Sequence, residues 1–162
     1  MDDDLQVSQV NYGAARDRDA LVELLDLYAR DPMGGGEGLA EEVKARLCDD
    51  LAAMPGAVSF IAWREGKPIG LLNAMPGYST FKARPLMNVH DIAVRADCRG
   101  RGVGQALLAA LEKHARARGC CKLTLEVLSG NAVATRSYLR FGFEQYALDP
   151  AAGHAMFMQK WL

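Results

Sequence analysis

Residues 99 to 104 read Arg99-Gly100-Arg101-Gly102-Val103-Gly104, three glycines and two arginines where an expected strand (86–94) gives way to an expected helix running to about 118. Glycine lets the backbone come close to a ligand, and the first turn of a helix offers N–H groups that have no partner inside the helix. Together they make a site for an anion, most naturally a phosphate or pyrophosphate. Arg99 and Arg101 bring positive charge to the same place, so the site does not rest on the helix dipole alone.

Two phosphate-binding patterns are excluded by the residues that follow. A P-loop closes with Gly-Lys-Ser/Thr, whereas Gly104 is followed by Gln105 and Ala106. A dinucleotide fingerprint needs a third glycine where Gln105 stands. No metal spacing relates the three histidines to the four cysteines (Cys48, Cys98, Cys120, Cys121), and the adjacent pair Cys120-Cys121 is poorly placed to bridge to itself. Glu126 on an alternating strand reads as a structural or solvated carboxylate, and His114 and His154 as helix-surface and turn residues.

The segment resembles motif A of the GCN5-related N-acetyltransferase (GNAT) family. Ile92-Ala93-Val94 ends the strand, a four-residue connection follows, and Arg99-x-x-Gly102-x-Gly104 completes the pattern. A second family block comes in order: Leu125-Glu126-Val127 in a strand over 121–127, then Asn131, Ala134, Tyr138 and Phe141-Gly142-Phe143. Together the blocks run from about 86 to 143.

That resemblance implies acetyl-coenzyme A as cosubstrate, an amine as acceptor and direct attack of the amine on the thioester, while the lack of ligand spacing among the histidines and cysteines gives the expectation of no metal. The pyrophosphate would lie on the backbone N–H groups of Arg99, Gly100, Arg101, Gly102, Val103 and Gly104, and the pantetheine arm would pair like an added strand with Ile92, Ala93 and Val94. A backbone N–H near Val94 would stabilise the oxyanion. Tyr138 matches the family's proton donor to the departing thiolate and, with Asn131, contacts the cofactor. A phenol titrates close to an alkyl thiol, so that transfer is nearly balanced. The base falls at His90 or Asp91, just before Ile92, or is replaced by ordered water. Neighbouring strand residues face opposite sides, so only one of the two points at the acceptor unless a bulge intervenes. His90 is the better choice on chemistry, because imidazole titrates near neutral pH. Other readings keep coenzyme A but change the acyl group, take a protein N-terminus as acceptor, or leave an idle cofactor-binding regulatory module. Family members often dimerise through sheet edges or helices, which leaves room for a homodimer.

The elements that must hold these residues follow from periodicity and turn chemistry. A strand over 5–12 leads to a helix over 20–30, capped by Asp19, with Leu21, Leu24, Leu25 and Tyr28 at helical spacing and Asp31-Pro32 as its stop. The glycine-rich stretch 33–38 is either a connector or a mobile lid over the acceptor site, and a helix over 39–54 follows. Strands over 57–64 and 68–76 flank Glu65-Gly66-Lys67, a short hairpin connection, and 78–85 reads as an irregular loop. After the glycine turn, Val103, Ala106, Leu107, Ala110, Leu111 and Ala115 form one core-facing stripe that Gly119 ends. A short helix over 131–140 closes at Gly142, and the tail supplies strands over 143–146 and 154–161. The expected fold is α/β: one GNAT-like domain over 1–162, with a mixed central sheet of about seven strands and helices on both faces.

Composition bounds the rest. A chain of 162 residues, half of them apolar or aromatic, suits one domain with one sizeable core. A net charge of −1 and a pI near 6.3 give no basic field for nucleic acid. The acidic start Met1-Asp2-Asp3-Asp4 has no apolar core behind it to make a secretory signal, and no run reaches membrane-spanning length. With reduced thiols, this points to a cytoplasmic protein that engages neither membrane nor nucleic acid. Glu37, Glu41, Glu42, Asp49 and Asp50 favour a cationic acceptor or simply mark a solvated helix face.

Overall fold

Five strands frame the computed structural model, which describes residues 4–146 and 148–162. They are β1 (Gln6–Gln9), β2 (Val58–Arg64), β3 (Lys67–Ser79), β4 (Arg84–Val94) and β5 (Leu123–Leu125), in spatial order β1-β2-β3-β4-β5. Neighbours run antiparallel up to β4, and β5 lies parallel to β4. A parallel pair needs a crossover, which is supplied here by helix α3 (Val103–Ala117). Helices α1 (Ala15–Arg30) and α2 (Glu41–Ala53) precede β2. All of these belong to one compact unit, Met1–Leu125; a second, Glu126–Leu162, contains α4 (Ala132–Phe141).

β2 is buried along nearly its whole length because helices cover both faces of the sheet. On one face Ile61, Trp63 and Leu71 join Leu21 and Leu24 of α1 and Cys48 and Leu51 of α2 in a single core. On the other, Phe60 meets the His114 ring of α3 edge-on at 6.0 Å, and Gly70 lies beneath the same helix. A side-chain carbon at Gly70 would stand 2.9 Å from Val103 Cγ1 and 3.1 Å from Leu107 Cδ1, so glycine sets how closely α3 approaches β3. That spacing also fixes where the first turn of α3 begins.

Several boundaries differ from expectation. α1 starts at Ala15, so Asp19 lies inside the helix and does not cap it. Instead Asp17 accepts the Asn11 N–H at 2.8 Å and Asn11 Oδ1 accepts the Gly13 N–H at 2.9 Å, a turn chemistry that leucine spacing does not reveal. The expected loop over 78–85 is a hairpin that pairs out to Ser79 and Arg84. Pro76 is tolerated there because β2 stops pairing at Ala74, leaving no ladder bond for the missing N–H to break. Within the glycine-rich stretch, Pro32–Gly34 form a 3₁₀ turn whose Asp31 cap accepts the Met33 N–H at 2.9 Å. Any side-chain carbon at Gly34 would be driven into the Tyr28 carbonyl.

The largest correction concerns strand number. Among the described residues the sheet has five strands, β5 has three residues, and neither 143–146 nor 154–161 is a strand. Alternation marks a face that a strand could bury but does not provide a partner edge. Met156, Phe157, Met158 and Trp161 stay exposed, so nothing holds the tail in a ladder.

Candidate active site

β4 hands the chain through a 3₁₀ turn (Ala96–Cys98) to the glycine segment. Gly100 and Gly102 take left-handed φ values of +74° and +78°, which side chains disfavour. Gly102 is the N-cap of α3 and, being glycine, makes no side-chain cap of its own. A Cβ at Gly100, Gly102 or Gly104 would meet no atom within 4 Å, so the backbone there borders open space. These are the features an anion cradle requires: amide donors, no covering side chain, and room for the ligand.

Arg99 is more constrained than its position in the motif implies. Its Nε donates to the Val94 carbonyl at 3.1 Å and its terminal nitrogen to Asp31 Oδ2 at 3.2 Å, which ties the glycine turn to the end of α1. The Met33 N–H, and then Arg99, hold the Asp31 carboxyl below the usual range. Arg101 is exposed.

The β4–β5 ladder is short. Met87, Asn88 and Val89 pair with Leu123, Thr124 and Leu125, whereas β4 continues to Val94. Ile92, Ala93 and Val94 are paired on the β3 side with Leu72, Leu71 and Gly70. Among the described residues they have no ladder partner on the other side, and this is the free edge that an extended amide-bearing arm needs. The glycine turn and this edge together fit the pyrophosphate and pantetheine of coenzyme A.

The bulge that would change the geometry of His90-Asp91 is present. Asn73 pairs with Asp91 and Ala74 with Val89, so His90 is the extra residue of β4. His90 is exposed and makes no hydrogen bond among the described residues. Asp91 is half-buried and accepts the Asn73 Nδ2–H at Oδ2, 3.1 Å away. Asn73 in turn accepts the Ser59 hydroxyl at 2.6 Å, and Ser59 Oγ lies 2.8 Å from the Tyr12 hydroxyl. Burial, followed by the charges of Asp91 and Asp31, pushes the Tyr28 phenol up, so the Asp91 carboxylate acts on the α1 side of the sheet. Ser59 and Asn73 carry only one signal in the sequence, a polar residue inside each of two apolar strand runs, Val58-Ser59-Phe60-Ile61 and Leu71-Leu72-Asn73-Ala74.

Asn131 and Tyr138 belong to the second unit. Asn131 caps α4, with Oδ1 accepting the Ala134 N–H at 3.2 Å. Tyr138 packs edge-on against Phe143 at 6.0 Å, and Gly142 closes the helix with φ +114°. The spacing from Asn131 through Tyr138 to Gly142-Phe143 is thus one helix with both of its caps. Among the described residues no group of three or more His, Cys, Asp or Glu could hold a metal ion, and no helix is long and apolar enough to cross a membrane.

The model of the acetyltransferase (GNAT) family matches residues 21–143, a span that includes the glycine turn and α4. Streptothricin acetyltransferase of Streptomyces lavendulae is 38% identical over 78 residues, 48% of this chain and 40% of that protein. Mycothiol acetyltransferase of Gordonia bronchialis is 30% identical over 153 residues, 93% of this chain and 43% of that protein. The chain therefore spans less than half the length of these relatives. Among solved structures, the aminoglycoside N-acetyltransferase AAC(6')-Iy with a coenzyme A bisubstrate analogue has a TM-score of 0.77 at 20% identity, covering 98% of this chain and 99% of that one. The aminoglycoside acetyltransferase meta-AAC0020 from an uncultured soil metagenomic sample, bound to sisomicin, has a TM-score of 0.76 at 16% identity, with coverage of 98% and 99%. At such identities the likeness shows the fold.

Proposed function

The chain belongs to the acetyltransferase (GNAT) family, and we propose from that membership and the site's geometry that it moves an acetyl group from acetyl-coenzyme A to an amine nitrogen. The observation that carries this reading is the first turn of α3, with glycine as its N-cap, behind left-handed Gly100 and Gly102, bordering open space and next to a free edge of β4. Backbone N–H groups from Gly100 to Gly104 hold the pyrophosphate, and the edge of Ile92, Ala93 and Val94 aligns the arm so that the thioester reaches the bulge in β4.

In the reaction the amine nitrogen bonds to the thioester carbonyl carbon and the carbon–sulfur bond breaks. The amine gives up a proton to a base, and the sulfur leaves as a thiolate that takes up a proton. The hydrogen-bonded Asp91 supports the role of base better than the unbonded His90, which reverses the choice made on imidazole chemistry alone. Tyr138 is assigned the proton donor to sulfur, and an N–H near Val94 steadies the oxyanion. The names of the sequence relatives include streptothricin and mycothiol acetyltransferases, which supports a small-molecule acceptor without selecting one.

The test is to incubate the purified protein with acetyl-coenzyme A and a panel of polyamines, aminoglycosides, amino acids and peptides, reading free thiol. At least one amine should release thiol well above the rate in water. Tight cofactor binding with no amine-dependent release across the panel would replace the enzyme with an idle binding module.

A further inference from the structure

We infer that Tyr12, Ser59 and Asn73 form a one-way hydrogen-bond chain that positions Asp91 as the acceptor of the amine's proton, leaving Oδ1 as the reactive oxygen. This rests on the acetyltransferase reading above and assigns roles to three residues on three different segments, β2, β3 and the β1–α1 connection.

The direction follows from the chemistry of the last member. An ionised carboxylate only accepts hydrogen bonds, so the group facing Asp91 Oδ2 must be the amide nitrogen of Asn73, at 3.1 Å. That turns Asn73 Oδ1 toward Ser59, whose hydroxyl donates to it at 2.6 Å. With its one proton committed, Ser59 Oγ is left to accept from the Tyr12 hydroxyl at 2.8 Å. Burial raises the Tyr12 phenol above its ordinary value, which keeps the proton on that donor.

Ser59 and Asn73 are 1% and 2% exposed. A buried side-chain amide and hydroxyl are costly to leave unbonded, and with Asp91 ionised this order of donors and acceptors satisfies both. The polar pair therefore favours one rotamer of the half-buried Asp91. With an extra residue in β4, Asp91 sits opposite Asn73 at the point where regular pairing with β3 breaks. Among the described residues Asn73 is the carboxylate's hydrogen-bond partner, through Oδ2, so Oδ1 is free to take the proton of an approaching ammonium.

The chain makes a prediction that needs no acceptor. In protein labelled with carbon-13 at aspartate carboxyls, the Asp91 signal is identified by its loss in Asp91→Asn. In Asn73→Leu this signal should move from its wild-type position at a fixed neutral pH, because the carboxylate loses its charge-assisted donor. Ser59→Ala should move it the same way by less, and Tyr12→Phe least, since the perturbation enters further from the carboxylate. If Asn73→Leu does not fold, Ser59→Ala and Tyr12→Phe still carry the comparison. A signal at the same position in wild type and in every folded variant overturns the positioning role.

Kinetics then separates this claim from the one it rests on. With the panel amine that gives the highest kcat/KM, Asn73→Leu should shift the acidic limb of the pH profile upward and lower kcat about tenfold or more, with acetyl-coenzyme A affinity kept. Adding Asn73→Leu to Asp91→Asn should change nothing further, because the two act as one unit. An additive double variant overturns the chain while leaving Asp91 as base. Full rate in Asp91→Asn alone instead removes Asp91 from the reaction.

Discussion

His90 and Asp91 are adjacent in sequence but stand in different surroundings, because the bulge takes His90 out of register and leaves Asp91 paired opposite Asn73. Imidazole chemistry alone favours the histidine, since bulges do not show in a run of residue types. His90→Ala should therefore leave the acidic limb of kcat/KM in place, whereas Asp91→Asn should abolish it; a pH profile of each variant checks this. Tyr138→Phe keeps the ring that packs on Phe143 and removes only the hydroxyl. It should lower kcat roughly ten- to a thousandfold with acetyl-coenzyme A affinity unchanged, as steady-state kinetics and calorimetry would show. The glycine turn was legible at this scale because Arg99-x-x-Gly102-x-Gly104 is a local signal, and the left-handed φ values at Gly100 and Gly102 are what its glycines are for. The Ser59–Asn73 bond was not, because it joins residues fourteen positions apart that meet only once β2 and β3 are in register.

Elements place these residues through packing, and α3 is the clearest case. Its apolar stripe was legible as a 3.6-residue pattern, but its distance from the sheet depends on Gly70 lying under Val103 and Leu107. Gly70→Val should destabilise the fold by about 1–3 kcal/mol through overpacking, read as a lower urea midpoint. The same helix carries a pH-sensitive contact. His114 packs on Phe60 with a buried, unbonded Nε2, and burial, then the charge of Arg118, holds its imidazole below the ordinary value. The folded state keeps that ring neutral while the unfolded chain takes up a proton below about pH 6.5. Stability should thus be full above that pH and decline as pH falls below it, and His114→Leu should flatten this limb in urea titrations across the range. Element ends were less legible where hydrogen bonds set them. The start of α1 depends on Asn11 and Asp17, and the tail strands over 143–146 and 154–161 required a partner edge that alternation cannot supply.

Across the whole molecule, a net charge of −1 supplies no general attraction for a polyanion, so binding of an anionic cofactor must come from a local arrangement. The first unit contains the glycine turn, the free edge of β4 and Asp91; the second contains Asn131 and Tyr138. Their order along the chain, more than any one motif, made the family legible before the fold was known, and residues 21–143 carry that match. The central claim is that the backbone at Gly102 faces the pyrophosphate of acetyl-coenzyme A. The direct measurement is calorimetric titration of that cofactor into the wild-type chain and into Gly102→Asn and Gly102→Asp. Asparagine and aspartate tolerate a left-handed φ about equally, so the pair shares its backbone strain and differs by a charge. Wild type should bind saturably, and Gly102→Asp should bind roughly ten- to a hundredfold more weakly than Gly102→Asn, the order expected of one added negative charge beside a pyrophosphate. Equal affinities in the two folded variants would contradict the account.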